Sequence, residues 1–195
     1  MHRLLAVLLV AVTLGACTPA GPKFENTDVT GAGFGREFAL DDPAGQRRTL
    51  ADYRGKAVVV FFGFTQCPDV CPTALAALAE ALRELGPDDA ARVQGIFITI
   101  DPERDTPELL SRYAPAFHPS FVGLSGDAAA TARVAKEFKV IYQKSPGRTP
   151  DTYTMDHSAG MFVFDPNGQL RLYVSHGRGA GALAHDLREI LRTAG

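Results

Sequence analysis

The sequence predicts an α/β domain, and three observations carry that prediction. The run Ala57-Val58-Val59-Val60-Phe61-Phe62 is continuously apolar rather than alternating, which marks a strand covered on both faces. Leu75, Leu78, Ala79, Leu82 and Leu85 then recur at the three- and four-residue spacing of an amphipathic helix. A second β-rich run, Val-Gln-Gly-Ile-Phe-Ile-Thr-Ile, follows at Val93 to Ile100. Strand, helix and strand in succession are most simply joined as a parallel βαβ crossover.

Composition sets the limits within which these elements work. With 195 residues, 46% of them hydrophobic and 22% charged, the chain has the make-up of one ordinary domain. A formal net charge of -2 and the lack of any basic block give no support to a nucleic-acid partner, which requires a clustered cationic surface.

The first residues are read apart from the fold. Arg3 gives a positive start, Leu4 to Val12 is an unbroken apolar run, and Leu14-Gly15-Ala16 places small residues before Cys17. That run is well short of the roughly 20 residues a membrane-crossing helix needs. Residues 1–16 are therefore read as a signal peptide. The Leu14-Gly15-Ala16-Cys17 end resembles a bacterial lipobox, which implies Cys17 as the lipid-modified residue of a bacterial envelope protein facing the periplasm or another extracytoplasmic space. The alternative is a plain signal peptide with an incidental cysteine. Residues 17–35, rich in Gly, Pro and Thr, are read as a flexible tether, and residues 36–195 as the domain.

Within the domain, Phe38 to Leu40 and Arg47 to Leu50 flank the turn Asp41-Asp42-Pro43-Ala44-Gly45 and predict an N-terminal hairpin. Pro72 suits a first helical position, and Gly86-Pro87 stops that helix. Asp101 to Glu108 is a polar turn into another helix, with Thr106 as N-cap and Pro107 at its first position. Phe121 to Leu124 is a short strand, and Asp127 to Phe138 a helix with Ala130, Val134, Ala135 and Phe138 on one side. Lys144 to Thr154, with Pro146, Gly147 and Pro150, is read as a surface excursion. Met161 to Phe164, the turn Asp165-Pro166-Asn167-Gly168 and Leu170 to Val174 form a hairpin, and Ala182 to Thr193 a final helix.

Chemistry gathers in Gly63 to Thr73, at the strand-to-helix turn where open α/β sheets present reactive groups. With Cys17 assigned to lipid, Cys67 and Cys71 remain as a pair whose spacing suits a shared metal and is one residue longer than a thioredoxin-type Cys-x-x-Cys. A helix beginning near Pro72 would favour the Cys71 thiolate through its unsatisfied N–H groups, for redox chemistry and metal binding alike. An imidazole added to two thiolates makes a soft-to-borderline set that suits copper and, less selectively, zinc. Of the histidines, His2 lies in the leader, His118 and His185 read as solvated or structural, and His176 follows the last strand. His157 stands at the entrance to an apolar strand, and the residues alone leave it a lone candidate.

The segment Val59 to Thr73, with Gly-Phe-Thr-Gln-Cys-Pro-Asp-Val-Cys-Pro-Thr at its end, resembles the signature of the SCO/SenC family of copper-binding assembly factors for cytochrome c oxidase. Asp101-Pro102-Glu103-Arg104-Asp105-Thr106-Pro107 and Asp156-His157-Ser158 before Met161 to Gly168 match in order and spacing. The resemblance implies a thioredoxin-like (redoxin) fold with a central mixed sheet flanked by helices. It implies that Cys67, Cys71 and His157 bind copper, as Cu(I) or Cu(II), and that the chain delivers it to the CuA-bearing subunit of cytochrome c oxidase. Other periplasmic copper chaperones or thioredoxin-like reductants are further expected partners. Gln66 stands where the family often has another polar residue and is not read as a ligand. Asp69 is read as a turn residue or a tuner of local charge, and Asp156 as facing water or orienting the imidazole.

A second reading from another class is a thiol-disulfide reductase that keeps the CuA-ligand cysteines reduced, with Cys67 attacking and Cys71 resolving. Ser158-Ala159 occupies the place of the thioredoxin cis-proline loop, which counts against general disulfide exchange. A peroxidase of the peroxiredoxin kind is the third reading, and nothing points to catalytic turnover by the metal itself.

Overall fold

A computed structural model describes residues 21–147, 149 and 152–193. Residues 1–16, expected to be a signal peptide, and Cys17 lie outside the described residues. Strand β1 is Thr27–Asp28, β2 Ala39–Asp41, β3 Arg47–Thr49 and β4 Ala57–Gly63. Helix α1 spans Val70–Leu85, α2 Pro87–Ala90, then β5 Val93–Thr99, α3 Pro107–Phe117, β6 Val122–Leu124 and α4 Ala128–Glu137. The chain ends with β7 Tyr142–Pro146, β8 Tyr153–His157, β9 Met161–Phe164, β10 Leu170–Val174 and α5 Ala180–Thr193.

Six strands form one mixed sheet in the order β1-β10-β9-β4-β5-β6. β4 pairs parallel with β5, from Ala57 opposite Val93 to Gly63 opposite Thr99, and antiparallel with β9, from Val58 opposite Phe164 to Phe61 opposite Met161. Every residue of β4 and of β5 is buried, β4 as its unbroken hydrophobicity requires and β5 with its polar Gln94 and Thr99 enclosed as well. Helix α1 packs beside α5, and Leu75, Leu78 and Leu82 of α1 and Leu183, Leu187 and Leu191 of α5 are all buried in the same core. Each such side chain taken fully out of water stabilises the fold by about 1.5–3 kcal/mol.

Helix ends follow their sequence signals. Thr106 Oγ1 accepts the Leu109 N–H at 3.3 Å and Asp127 Oδ1 the Ala130 N–H, satisfying donors that the first turn leaves open. Gly86 ends α1 at φ 82°, a left-handed backbone that favours glycine. Pro87, read as a stop, opens the one-turn helix α2.

Two readings are corrected. Residues 24–35 are not a free tether: Thr27 and Asp28 pair with Tyr173 and Leu172 at the sheet edge, and the fully buried Asp186 carboxylate accepts the N–H groups of Glu25 and Asn26. A two-residue edge strand carries no periodicity by which sequence could reveal it. The supposed excursion at 144–154 contains most of β7 and the start of β8, which pair antiparallel from Tyr142 opposite His157 to Pro146 opposite Tyr153. This ribbon forms its own two-stranded sheet. Among the described residues no helix is long and apolar enough to cross a membrane.

Candidate metal centre

The antiparallel register of β4 and β9 creates the site. Because Phe61 lies opposite Met161, the segment entering β9 passes beside the loop leaving β4. Cys67 and Cys71 belong to that loop and to the first turn of α1, and His157 ends β8 just before β9. Their ligand atoms all lie within 4.8 Å of one another, with Cys71 Sγ and His157 Nε2 3.5 Å apart. Among the described residues this is the one group of three or more His, Cys, Asp or Glu arranged to hold a metal.

Helix α1 starts two residues earlier than expected, at Val70, so Cys71 lies inside its first turn. The Cys71 N–H donates to Cys67 Sγ at 3.4 Å. The open helix end is therefore directed at Cys67, not at the Cys71 sulfur as the sequence suggested. Cys71 is fully buried, and that burial pushes its thiol pKa well above the ordinary value. Gly63 makes the burial possible: a Cβ there would stand 2.7 Å from Cys71 Sγ and 2.9 Å from Phe97 Cε2. Only a residue without a side chain lets the sulfur rest on the strand.

His157 is half-buried, and the edges or faces of Phe61 and Phe64 stand around it at centroid distances of 6.2 and 6.0 Å. Burial lowers its pKa, so the ring is neutral at neutral pH. Nδ1 lies 3.0 Å from the Ser158 carbonyl oxygen. A carbonyl only accepts, so Nδ1 carries the proton and Nε2 presents its lone pair toward the sulfurs. Ser158 in turn is fixed to Ile141, donating its N–H to the Ile141 carbonyl at 2.9 Å and accepting the Ile141 N–H on Oγ at 3.1 Å.

The remaining candidates fall elsewhere. Asp156 is exposed and accepts from Ser145 Oγ, so the imidazole is oriented by the Ser158 carbonyl instead. Asp69 accepts from Thr73 Oγ1 as a helix-start residue. Gln66 is exposed and accepts from Arg104. His118 pairs with Ser120 and His185 with the Lys23 carbonyl, while His176 is exposed after β10. Sequence reasoning missed Gly63, the Ser158 carbonyl and the buried Asp105. Each lies in a segment matched to the family, Gly63 in Val59 to Thr73, Ser158 beside His157 and Asp105 in Asp101 to Pro107, but nothing local marks its role.

The donor set fits a soft ion. Bonds to sulfur of about 2.3 Å and to nitrogen of about 2.0–2.1 Å place ligand atoms of one zinc-like site at comparable separations. Two sulfurs and a neutral imidazole favour copper among the common metals. A redoxin domain carrying a dithiol and an imidazole at the carboxyl end of its central strand is a thioredoxin-like metal-binding protein in class.

The chain belongs to the SCO1/SenC family, whose model matches residues 26–192. It is 36% identical over 196 residues to the bovine mitochondrial protein SCO2 homolog, covering 95% of this chain and 74% of that one. The chain spans 57–60% of the length of three further curated SCO2 relatives. Among solved structures, apo Sco1 of Thermus thermophilus is 44% identical with a TM-score of 0.76, over 86% of this chain and 96% of that one. Bradyrhizobium japonicum ScoI with copper bound is 41% identical with a TM-score of 0.71, over 80% and 98%.

Proposed function

We propose that this chain is a copper metallochaperone for cytochrome c oxidase, with Cys67, Cys71 and His157 as ligands and copper as its cargo. The observation that carries the reading is the gathering of these ligand atoms within 4.8 Å. The copper held by the Bradyrhizobium relative supports the choice of metal. Cu(I) would be held by the two thiolates and Cu(II) by the thiolates with His157. Three ligands leave a coordination side open, and there an acceptor's thiolates and imidazoles displace them stepwise. The receiving partner is the CuA-bearing subunit. Leu4 to Cys17 supports an envelope lipoprotein anchored through Cys17 on the periplasmic side.

Anaerobic titration of the reduced chain with Cu(I), and separately with Cu(II), tests this. One copper per chain is expected, and Cys67→Ser and Cys71→Ser variants that lose neither affinity would sink the proposal.

One arrangement favours the reductase reading: Cys67 is half-exposed and Cys71 enclosed, as in an attacking and resolving pair. The Cys67 thiolate would attack a target disulfide, and Cys71 would displace the target's second thiol, leaving this chain oxidised and the target reduced by two electrons. His157→Ala separates the two readings. Copper binding lost with oxidase assembly retained supports the reductase; loss of both supports the chaperone.

A further inference from the structure

The loop between β5 and α3 contains none of the three candidate ligands, yet it bonds to both segments that carry them. Asp105, 2% exposed, accepts the Thr65 N–H at 3.0 Å, Thr65 Oγ1 at 2.6 Å and Thr99 Oγ1 at 2.6 Å. Thr65 is two residues before Cys67. Arg104 reaches further. Its Nη1 donates to Gln66 Oε1 at 3.2 Å and to the Tyr153 carbonyl at 2.8 Å, and its Nε donates to the Asp101 carboxylate. Its guanidinium lies 3.6 Å from the centroid of the Tyr153 ring. The Tyr153 hydroxyl closes the circuit by donating to Asp101 Oδ1 at 2.7 Å.

Tyr153 begins the strand that His157 ends, and this ribbon is not paired to the six-stranded sheet. A two-stranded ribbon alone is marginal in water, so its angle to the domain is set by whatever grips it. Contacts between the ribbon and the domain include the buried Met155 side chain, the Tyr153 hydroxyl on Asp101, the His157 ring against Phe61 and Phe64, the Lys144–Glu103 bridge and Arg104. The bridge joins exposed groups and holds weakly. Arg104 alone of these also touches the residue preceding Cys67.

We propose that Arg104 is a positioning residue for copper: by tying Tyr153 to Gln66 it fixes the distance between the His157 imidazole and the two sulfurs. The inference rests on the copper reading above and adds to it the part that admits the third ligand. Arginine suits the task because its planar group stacks on the ring while its edge donates to several acceptors, which an ammonium cannot do. The dithiol lies within one loop and first helical turn and needs no such tie. Loss of Arg104 therefore acts on imidazole ligation while leaving thiolate ligation in place.

The test loads the full reduced chain with Cu(I), and with Cu(II) read by electron paramagnetic resonance for nitrogen coupling and by thiolate-to-copper absorption. Arg104→Ala is expected to keep one Cu(I) per chain, to lose the nitrogen coupling, and to weaken Cu(II) relative to Cu(I) by about 10–100-fold, the usual effect of removing a ligand's outer partner. Arg104→Lys is expected to fall between the alanine variant and wild type. A role in stability alone would lower the unfolding midpoint and leave the nitrogen coupling and the Cu(II)-to-Cu(I) ratio unchanged, which overturns the proposal. Should Arg104→Ala not fold, Tyr153→Phe and Gln66→Ala each remove one bond of the clamp. A smaller shift of the ratio in the same direction supports the role, and wild-type spectra in both overturn it. A wild-type chain that takes up no copper ends the copper reading and this inference together, before any variant is made.

Discussion

Cys71 Sγ and His157 Nε2 stand 3.5 Å apart although 86 positions separate them in the chain. The approach depends on sheet register: β9 runs antiparallel to β4 and begins where β4 ends. A one-residue slip would turn the facing side chains to the opposite surface.

Gly63→Ala should damage the centre through packing alone. The added Cβ meets Cys71 Sγ at 2.7 Å and Phe97 Cε2 at 2.9 Å, and the sulfur, strand or ring has to shift. A loss of about 1–3 kcal/mol is expected from overpacking, together with weaker copper uptake. Urea unfolding and copper stoichiometry measured on one preparation check both.

The metal-free, reduced chain should be most stable between about pH 6.5 and 9. The His157 pKa is lowered by burial from its ordinary 6.5, so below that value the unfolded chain binds a proton that the fold refuses, and stability falls as pH drops toward the folded pKa. Cys71 is raised by burial from 9.0, so above that value the unfolded chain releases a proton that the fold retains, and stability falls as pH climbs. Asp105, raised by burial, acts in the opposite sense to His157 and at lower pH. Denaturant midpoints across pH 5–10 should show a plateau with two shoulders, the acid one absent in His157→Gln and the alkaline one absent in Cys71→Ala.

Copper uptake should release protons. The buried Cys71 thiol is protonated at neutral pH and binds metal as thiolate, so at least one proton leaves on binding. Apparent affinity should rise about tenfold per pH unit for each proton displaced. Calorimetry in buffers of different ionisation enthalpy counts them, and Cys71→Ser should release fewer.

Asp186→Ala should free the N-terminal strand and spare the metal centre. The Asp186 side chain holds the Glu25 and Asn26 N–H groups and Asn26 Nδ2 at 2.8–2.9 Å. Leaving such donors without a partner costs about 1–3 kcal/mol each when buried. Faster amide exchange at residues 25–29 with unchanged copper stoichiometry is the expected result.

What could be read from sequence follows from how far each determinant reaches along the chain. Strand β4, helix α1 and the cysteine turn announce themselves through local runs and spacing, and so does the cap at Thr106. His157 needed the family resemblance, because one imidazole beside an apolar strand has no local mark of ligation. Strand β1 stayed hidden because its partner Tyr173 lies at the other end of the chain and its own two residues are polar and exposed. The ribbon of β7 and β8 was masked by polar residues and by Pro146 and Gly147. The raised pKa of the Cys71 thiol is hidden for a similar reason: its enclosure depends on Gly63 and Phe97, neither of which adjoins it in sequence.

Cys71 is sealed inside, while Cys67 and His157 are only half covered. On the proposed function this gives the cargo a single doorway, used for loading and for release. A donor and an acceptor then compete for the same face and exclude each other, so hand-over proceeds as two successive binary encounters. Excess metal-free acceptor would consequently slow loading even as it hastens delivery.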